Sequence, residues 1–325
     1  MSKIWLVVKR EYLTRVRNRS FIISTFITPL FFVALIMSIA YISAKNVEKK
    51  QNPVAAAMAN SDAKEDGKQS TVGFAVGYIS SFAIYITILI YGTMVMRGVS
   101  EEKTNRIAEI IISSVKPFQL MMGKILGIGA VGLTQFFLWI VLIIIFSSAS
   151  FLFLPHEVVQ DAGSAESQAH AAGFLQSLST INLPLVIFSF GFYFIFGYLF
   201  YASLFAAVGS AINEDAQDTQ SLMLPVTMPV VLAIVIMMQA INQPSGSLAT
   251  WSSMIPFFSP VVMMARLPFG VPETVPVWQL LLSMVLLFGG FLFTTWLSAK
   301  IYRTGILLYG KKTNWKEMWK WAMRS

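Results

Sequence analysis

Residues 20–44 contain no Asp, Glu, Lys or Arg. Five more stretches of the 325-residue chain share that property: 69–96, 125–156, 167–213, 219–265 and 274–299. A helix that crosses the hydrocarbon core of a bilayer needs about 20 consecutive apolar residues, and each run is long enough to supply one. Soluble domains carry about 25% charged residues; this chain has 12%, against 56% hydrophobic. The pattern excludes a soluble enzyme. The lack of cysteine excludes a disulfide framework and a cysteine-ligated metal site. The fold class is therefore an all-α polytopic membrane protein, because in lipid the backbone of runs this long is satisfied within a helix.

The runs predict six spanning helices, near 20–43, 72–96, 121–153, 183–210, 222–242 and 276–299, within a single transmembrane domain over 1–325. The first run is too long for the apolar region of a cleaved signal peptide, about 7–15 residues, and reads as a retained span. Lys and Arg cluster in residues 1–19, in the loop between spans two and three, and in the tail 300–325; together these hold 18 of the 24 basic residues. The positive-inside bias places all three in the cytoplasm, with both termini. The loop 154–182 has acids but no Lys or Arg and lies outside, as does the mixed-charge connection 44–71. Localisation in a bacterial-type cytoplasmic (inner) membrane follows.

Residues 243–275 resist this alternation. Here Met254–Gly270 is apolar but broken by Pro256, Pro260 and Pro268. A seventh span would put the cationic tail outside, so the segment reads as a re-entrant hairpin on the outer side, before the last span. Irregular backbone is tolerated at that depth only under a cover of protein or beside a cavity. The alternative is a surface-lying amphipathic loop.

Three cytoplasmic segments look amphipathic. In residues 3–19, Ile4, Val8, Tyr12 and Val16 recur at every fourth position, and the cations, including Lys9, Arg10, Arg17 and Arg19, occupy the other side. Such a helix lies in the headgroup layer. Within 98–117, Ser100 can cap a helix whose first turn holds Glu101 and Glu102. Arg106 can pair with Glu102 and Glu109, Ile107, Ile110, Ile111 and Val115 form an apolar stripe, and Pro117 ends the helix. It fits either a protein partner or the membrane surface. In the tail, Trp315, Met318, Trp319, Ala322 and Met323 share one face, an interfacial aromatic anchor. The loop 211–221 holds Glu214, Asp215 and Asp218 without a cation, suited to a basic patch on the N-terminal helix or on a partner.

Several motif strings fail on context. Gly127-Ile-Gly129-Ala-Val-Gly132 matches a dinucleotide fingerprint but sits inside a span, where it reads as helix packing. Gly305 to Lys311 nearly spells a phosphate loop, but Lys312 stands where Ser or Thr is needed, which excludes ATP binding by that segment. Glu101-Glu102 with Arg106 matches a string of intramembrane prenyl proteases, yet the two histidines, His156 and His170, both lie in the outer loop. An ion-coupled secondary carrier or channel working without an ATPase is the main alternative function. It is opposed by the scarcity of charged residues in the six spans, where Lys124 at the start of the third is the one exception.

The chain resembles the permease subunits of type-two ABC exporters, particularly the sodium-efflux branch. Three stretches carry the resemblance. The first is Lys9-Arg10-Glu11-Tyr12 with Arg17-Asn18-Arg19-Ser20-Phe21 and Pro29. The second is Gly98-Val-Ser-Glu-Glu-Lys103 with Arg106, Glu109, Ser113-Ser114, Pro117 and Gly123-Lys124. The third is Ser253-Met-Ile-Pro-Phe-Phe-Ser-Pro260 with Arg266. The resemblance implies a transporter subunit rather than an enzyme, with ATP and magnesium on a separate cytoplasmic ATP-binding-cassette subunit and no cofactor in this chain. It implies a second permease chain as partner, in a homo- or heterodimer within the lipid bilayer, and no nucleic acid. Carried across residue by residue, Lys9, Arg10, Arg17 and Arg19 belong to an elbow helix. Glu101, Glu102, Arg106 and Glu109 lie at the contact with the ATPase, and Phe257, Phe258 and Pro260 contribute to an outer gate. Sodium, a lipid, a peptide or a glycan is the expected cargo. One departure is the connection 44–71, too short for the folded outer domain that sodium-efflux relatives commonly carry.

Overall fold

The computed structural model describes residues 3–19, 21–31, 33, 34, 38, 66–150, 181–212, 216–308 and 313–323. Among them the regular structure is helical throughout, with no strand. The helices are α1 (Lys3–Val16), α2 (Phe21–Phe31), α3 (Asp66–Thr104), α4 (Ile107–Ile112), α5 (Pro117–Ser150), α6 (Leu183–Ala211), α7 (Ala216–Asn242), α8 (Ser247–Met254), α9 (Ser259–Arg266), α10 (Val277–Gly305) and α11 (Trp315–Met323). Five contain segments long and apolar enough to cross a membrane: Val72–Thr104, Pro117–Phe146, Leu183–Ala211, Thr219–Asn242 and Val277–Gly305. These match predicted spans two to six. Of the predicted first span, 20–43, the continuous described helix is Phe21–Phe31, and much of the remainder lies outside the described residues. So do the outer loop 154–180, most of 44–71, residues 213–215 of the acidic loop, and Lys311, Lys312 and Arg324.

Local chemistry fixes several boundaries. Asn182 caps α6 by accepting from the Leu185 amide at 3.2 Å, with Pro184 in the first turn. Pro117 opens α5, where its missing N–H costs nothing. Pro225 and Pro229 sit inside α7 without ending it, as membrane helices allow when neighbours re-satisfy the freed backbone.

The largest difference from the sequence expectation is at the end of α3. No proline stands between Arg97 and Thr104 and Gly98 does not stop the helix, so the span runs on through Ser100, Glu101 and Glu102 instead of restarting there. Ser100 is thus inside a 39-residue helix, about 58 Å long at 1.5 Å per residue, well beyond a hydrocarbon core of about 30 Å. The helix stops at Asn105–Arg106. Arg106 adopts the left-handed conformation (φ 56°), the C-terminal position usually given to glycine, and its amide donates to the Lys103 carbonyl at 2.9 Å. The expected single helix over 98–117 is therefore two pieces, the last turn of α3 and the short α4, joined by a sharp bend.

The described residues fall into two compact units. One contains residues 1–13, 73–132 and 181–325; the other contains 14–72 and 133–180. In the second, Gln135 of α5 approaches the Ser24 hydroxyl of α2 at 3.4 Å. In the first, α6 and α10 pack along their lengths, and α8 and α9 insert beside them against α7.

Candidate functional site

At one end of the first unit α1 is docked onto α5. A Cβ on Gly123 would lie 2.6 Å from the Cβ of Val7, and one on Gly127 would lie 2.7 Å from the Cβ of Glu11. Only glycine permits so close an approach, and the Gly123-Lys-Ile-Leu-Gly127 spacing puts both on one face of α5. Val7, Val8 and Glu11 are buried there. The N-terminal helix is thus held by protein on one side, while Trp5, Leu6 and Lys9 stay exposed.

Lys124, between the two glycines, is buried and organises an ion cluster. Its ammonium lies 3.2 Å from Glu11 Oε1 and 3.2 Å from Glu102 Oε2, and it donates to the Gly98 carbonyl at 3.2 Å. Arg10 donates to Glu11 at 2.8 Å and to Glu102 Oε1. Two carboxylates and two cations therefore join α1, α3 and α5, with no net formal charge. Burial works against the Arg10 charge, but the Glu11 hydrogen bond and the Glu102 charge outweigh it and raise its pKa. Nearby, Lys103 is buried and donates to the Ser210 carbonyl at 2.8 Å, satisfying one of the last-turn acceptors of α6. Lys3 reaches the Ser114 carbonyl at 2.7 Å, tying α1 to the segment after α4.

The expected coupling residues divide over this surface. Glu102 is internal and pairs with Arg10 and Lys124, not with Arg106. Continuing α3 through Glu102 and bending the chain before Ile107 separates Glu102 from the helix Arg106 introduces. Glu101, Arg106 and Glu109 are exposed. So are Ile107 and Ile110, the latter 75%, while Ala108 alone in α4 turns inward. Of the elbow cations, Arg10 enters the cluster, and Lys9, Arg17 and Arg19 are exposed.

The segment 243–275 is a helical hairpin. Helix α8 descends, residues 255–258 turn, and α9 returns with all eight of its residues buried. The turn penetrates the bundle: Pro256 Cβ lies 3.2 Å from where a Cβ on Gly290 would stand, about 20 Å along α10 from Val277. The tip is thus packed among helices of the bundle. Phe257, 38% exposed, meets the Phe200 ring edge-on at 5.1 Å between centroids, and its carbonyl accepts from Tyr201 at 2.6 Å. Phe258 packs instead on Ala240, Ala249 and Val262. Pro260 presses on Gly197 of α6, its Cβ 2.8 Å from where a Cβ on Gly197 would stand. The three residues thus brace the hairpin tip against α6 on one side and α7–α8 on the other.

Arg266 closes the hairpin's mouth. It is 1% exposed, and its guanidinium donates to the Pro244 carbonyl (2.7 Å), the Ser253 hydroxyl (2.6 Å), the Thr250 hydroxyl (3.3 Å) and Gln279 Oε1 (3.1 Å). All four acceptors are neutral. The network continues inward: Ser283 donates to the Ser253 carbonyl at 2.8 Å and accepts from Tyr193 at 2.9 Å.

Lys124, Glu11 and Lys103 were not singled out by sequence reasoning as site residues. The Gly123–Gly127 spacing around Lys124 is the signal that could have found the first two. Lys103 offers none, because its acceptor is a backbone carbonyl 107 positions away. Gly129 and Gly132 do pack, against Tyr198 and Tyr91, as a string inside a span suggests. Among the described residues no group of His, Cys, Asp and Glu is placed to hold a metal ion.

Comparison with known proteins adds the family. Residues 50–300 match the family model described as ABC-2 family transporter protein. The uncharacterized protein YhaP of Bacillus subtilis (strain 168) is 35% identical over 264 residues, covering 80% of this chain and 58% of its own length. The uncharacterized protein MJ1024 of Methanocaldococcus jannaschii is 27% identical over 243 residues, covering 75% of this chain and 52% of its own length. The chain thus spans little more than half the length of these relatives. No solved structure matches it. With the family model covering well over half of the sequence, and a helical membrane bundle to go with it, the chain belongs to the ABC-2 family of transporter proteins.

Proposed function

We propose that the chain is the membrane subunit of an ABC exporter, driven by a separate ATP-binding-cassette ATPase that docks at the α1–α4 end. The observation that carries this reading is the bend at Arg106. It presents α4, with Ile107, Ile110 and Glu109 exposed, at the tip of a spanning helix that is itself ion-paired to α1. A partner gripping α4 would move α3, α1 and the start of α5 together. Nucleotide must favour one arrangement of these helices over another, because a ligand with equal affinity for both shifts nothing.

In this reading the α1–α4 end faces the cytoplasm, as the clustered cations require, in the inner membrane. The hairpin lies on the outer side, where Phe257, Phe258 and Pro260 form part of an exit gate between two permease chains. Sodium is the first cargo to test, followed by lipid, peptide and glycan.

The test is co-expression with cassette ATPases from the same genome. A bound ATPase whose hydrolysis rises on reconstitution supports the proposal, and Ile110→Asp with Glu109→Lys should abolish co-purification while leaving thermal unfolding unchanged. Solute flux through liposomes by the chain alone, without ATP, would overturn it in favour of an ion-coupled carrier. Cargo follows from ATP-dependent uptake of labelled sodium into inside-out vesicles.

A further inference from the structure

Helix α11 has two apolar faces, and the bundle uses one of them. Met318, Trp321 and Ala322 are buried where α11 packs back on α10. Trp315, Trp319 and Met323, spaced four apart, form a second stripe that the described residues leave uncovered; Trp319 is 58% and Met323 70% exposed. Lys316 and Lys320 follow the two tryptophans by one position and are exposed beside the stripe. Glu317 sits half-buried, away from both tryptophans on the helix circumference.

The position of α11 says what covers the stripe. Only residues 306–314 separate it from the end of the spanning helix α10, on whose flank it rests. In the C-terminal part of α10, exposed Trp296 lies tilted against Phe293 with ring centroids 6.1 Å apart, and the Lys300 ammonium lies 4.5 Å from the Trp296 ring centroid. Aromatic rings with lysines folded over them mark the boundary between acyl chains and headgroups. A short helix with an aromatic stripe edged by lysines, docked on the flank of that spanning helix, has the form of an interfacial helix.

We infer that α11 binds anionic lipid: Trp315, Trp319 and Met323 insert at the acyl–headgroup boundary, and Lys316 and Lys320 hold the phosphates of anionic headgroups. This goes beyond the transport reading and does not depend on it. Two lysines near an anionic surface favour it by about 30-fold, about fivefold for each.

The experiment uses tryptophan quenching in the full-length chain, reconstituted with acyl-brominated phosphatidylcholine or acyl-brominated phosphatidylglycerol at equal mole fraction. The signal of Trp315 and Trp319 is isolated by difference from a Trp315→Phe/Trp319→Phe variant. Brominated phosphatidylglycerol is expected to quench that signal several-fold more strongly than brominated phosphatidylcholine. The preference should vanish in Lys316→Gln/Lys320→Gln, whose positions are exposed and whose fold is unaffected, while quenching itself persists. Equal quenching by both lipids in the parent chain would overturn the anionic assignment. Quenching by aqueous iodide instead of by either lipid would place the stripe in water. Protection from all three would show that a protein covers it. Both of the last results overturn the inference.

Discussion

Two regions of this molecule hold a short element against the bundle with a buried cation, and they do so differently. At the α1 end, Lys124 and Arg10 face Glu11 and Glu102, charge against charge. At the hairpin, Arg266 faces two hydroxyls, an amide oxygen and a peptide carbonyl, all neutral. The first arrangement compensates ions with ions, so removing one member strands another in a medium that solvates it poorly. The second spreads one charge over dipoles. Removing it leaves neutral acceptors, and the hydroxyls among them can rotate to new partners. The ion cluster is therefore intolerant of single changes, and the hairpin more forgiving.

The sharpest way to break that contrast is Lys124→Met. It leaves Glu11 and Glu102 with only Arg10 between them and should cost about 3–5 kcal/mol, read as equilibrium unfolding in mixed micelles, with partial rescue by Lys124→Arg. Arg266→Met should cost less, about 1–3 kcal/mol for acceptors left unsatisfied, and should loosen the hairpin selectively. Hydrogen exchange over residues 247–266 reports that loosening. A hairpin variant as damaging as the Lys124 variant would sink the comparison. Gly127→Val tests whether the cluster needs its helix packing. The added Cβ would meet Glu11 Cβ at 2.7 Å, and overpacking of this kind costs about 1–3 kcal/mol, with α1 expected to become protease-sensitive first. The smallest effect belongs to Arg106→Gly. Glycine relieves the left-handed backbone but adds unfolded-state freedom, so stability should stay within about 1 kcal/mol of the parent. If the Arg106 side chain serves the ATPase contact, stimulated hydrolysis falls at unchanged stability; a drop in stability instead would show that the bend itself needs arginine.

Much of this architecture was legible beforehand, for definite reasons. Spans two to six could be read because lipid tolerates few charges, and the charge-free runs therefore trace the helices. The hairpin could be suspected because Pro256, Pro260 and Pro268 break an apolar run that charge bias forbids from crossing. The end of α3 was misjudged because Ser100 and the two glutamates form a good start signal locally, while the decision to continue came from tertiary pairing of Glu102 with Arg10 and Lys124. The pairing of Glu11 with Lys124 joins residues 113 positions apart; the Gly123–Gly127 spacing marks a close-packing face beside Lys124 but does not name the helix that fills it. Arg266 was noticed as part of a resemblance, but its partners, four neutral groups from the flanking loop, α8 and α10, leave no pattern in a sequence.

One feature connects the two regions. A Cβ on Gly77 of α3 would lie 2.7 Å from the Ala265 carbonyl oxygen, so this helix is seated directly on the returning arm of the hairpin, next to Arg266. The same uninterrupted helix carries Glu102 into the ion cluster, about 38 Å away at 1.5 Å per residue. A pushrod of that kind needs no relay of switching side chains between its ends. Any tilt imposed near Glu102 arrives at the hairpin as displacement of a backbone already in van der Waals contact, and the gap there leaves no slack to absorb it.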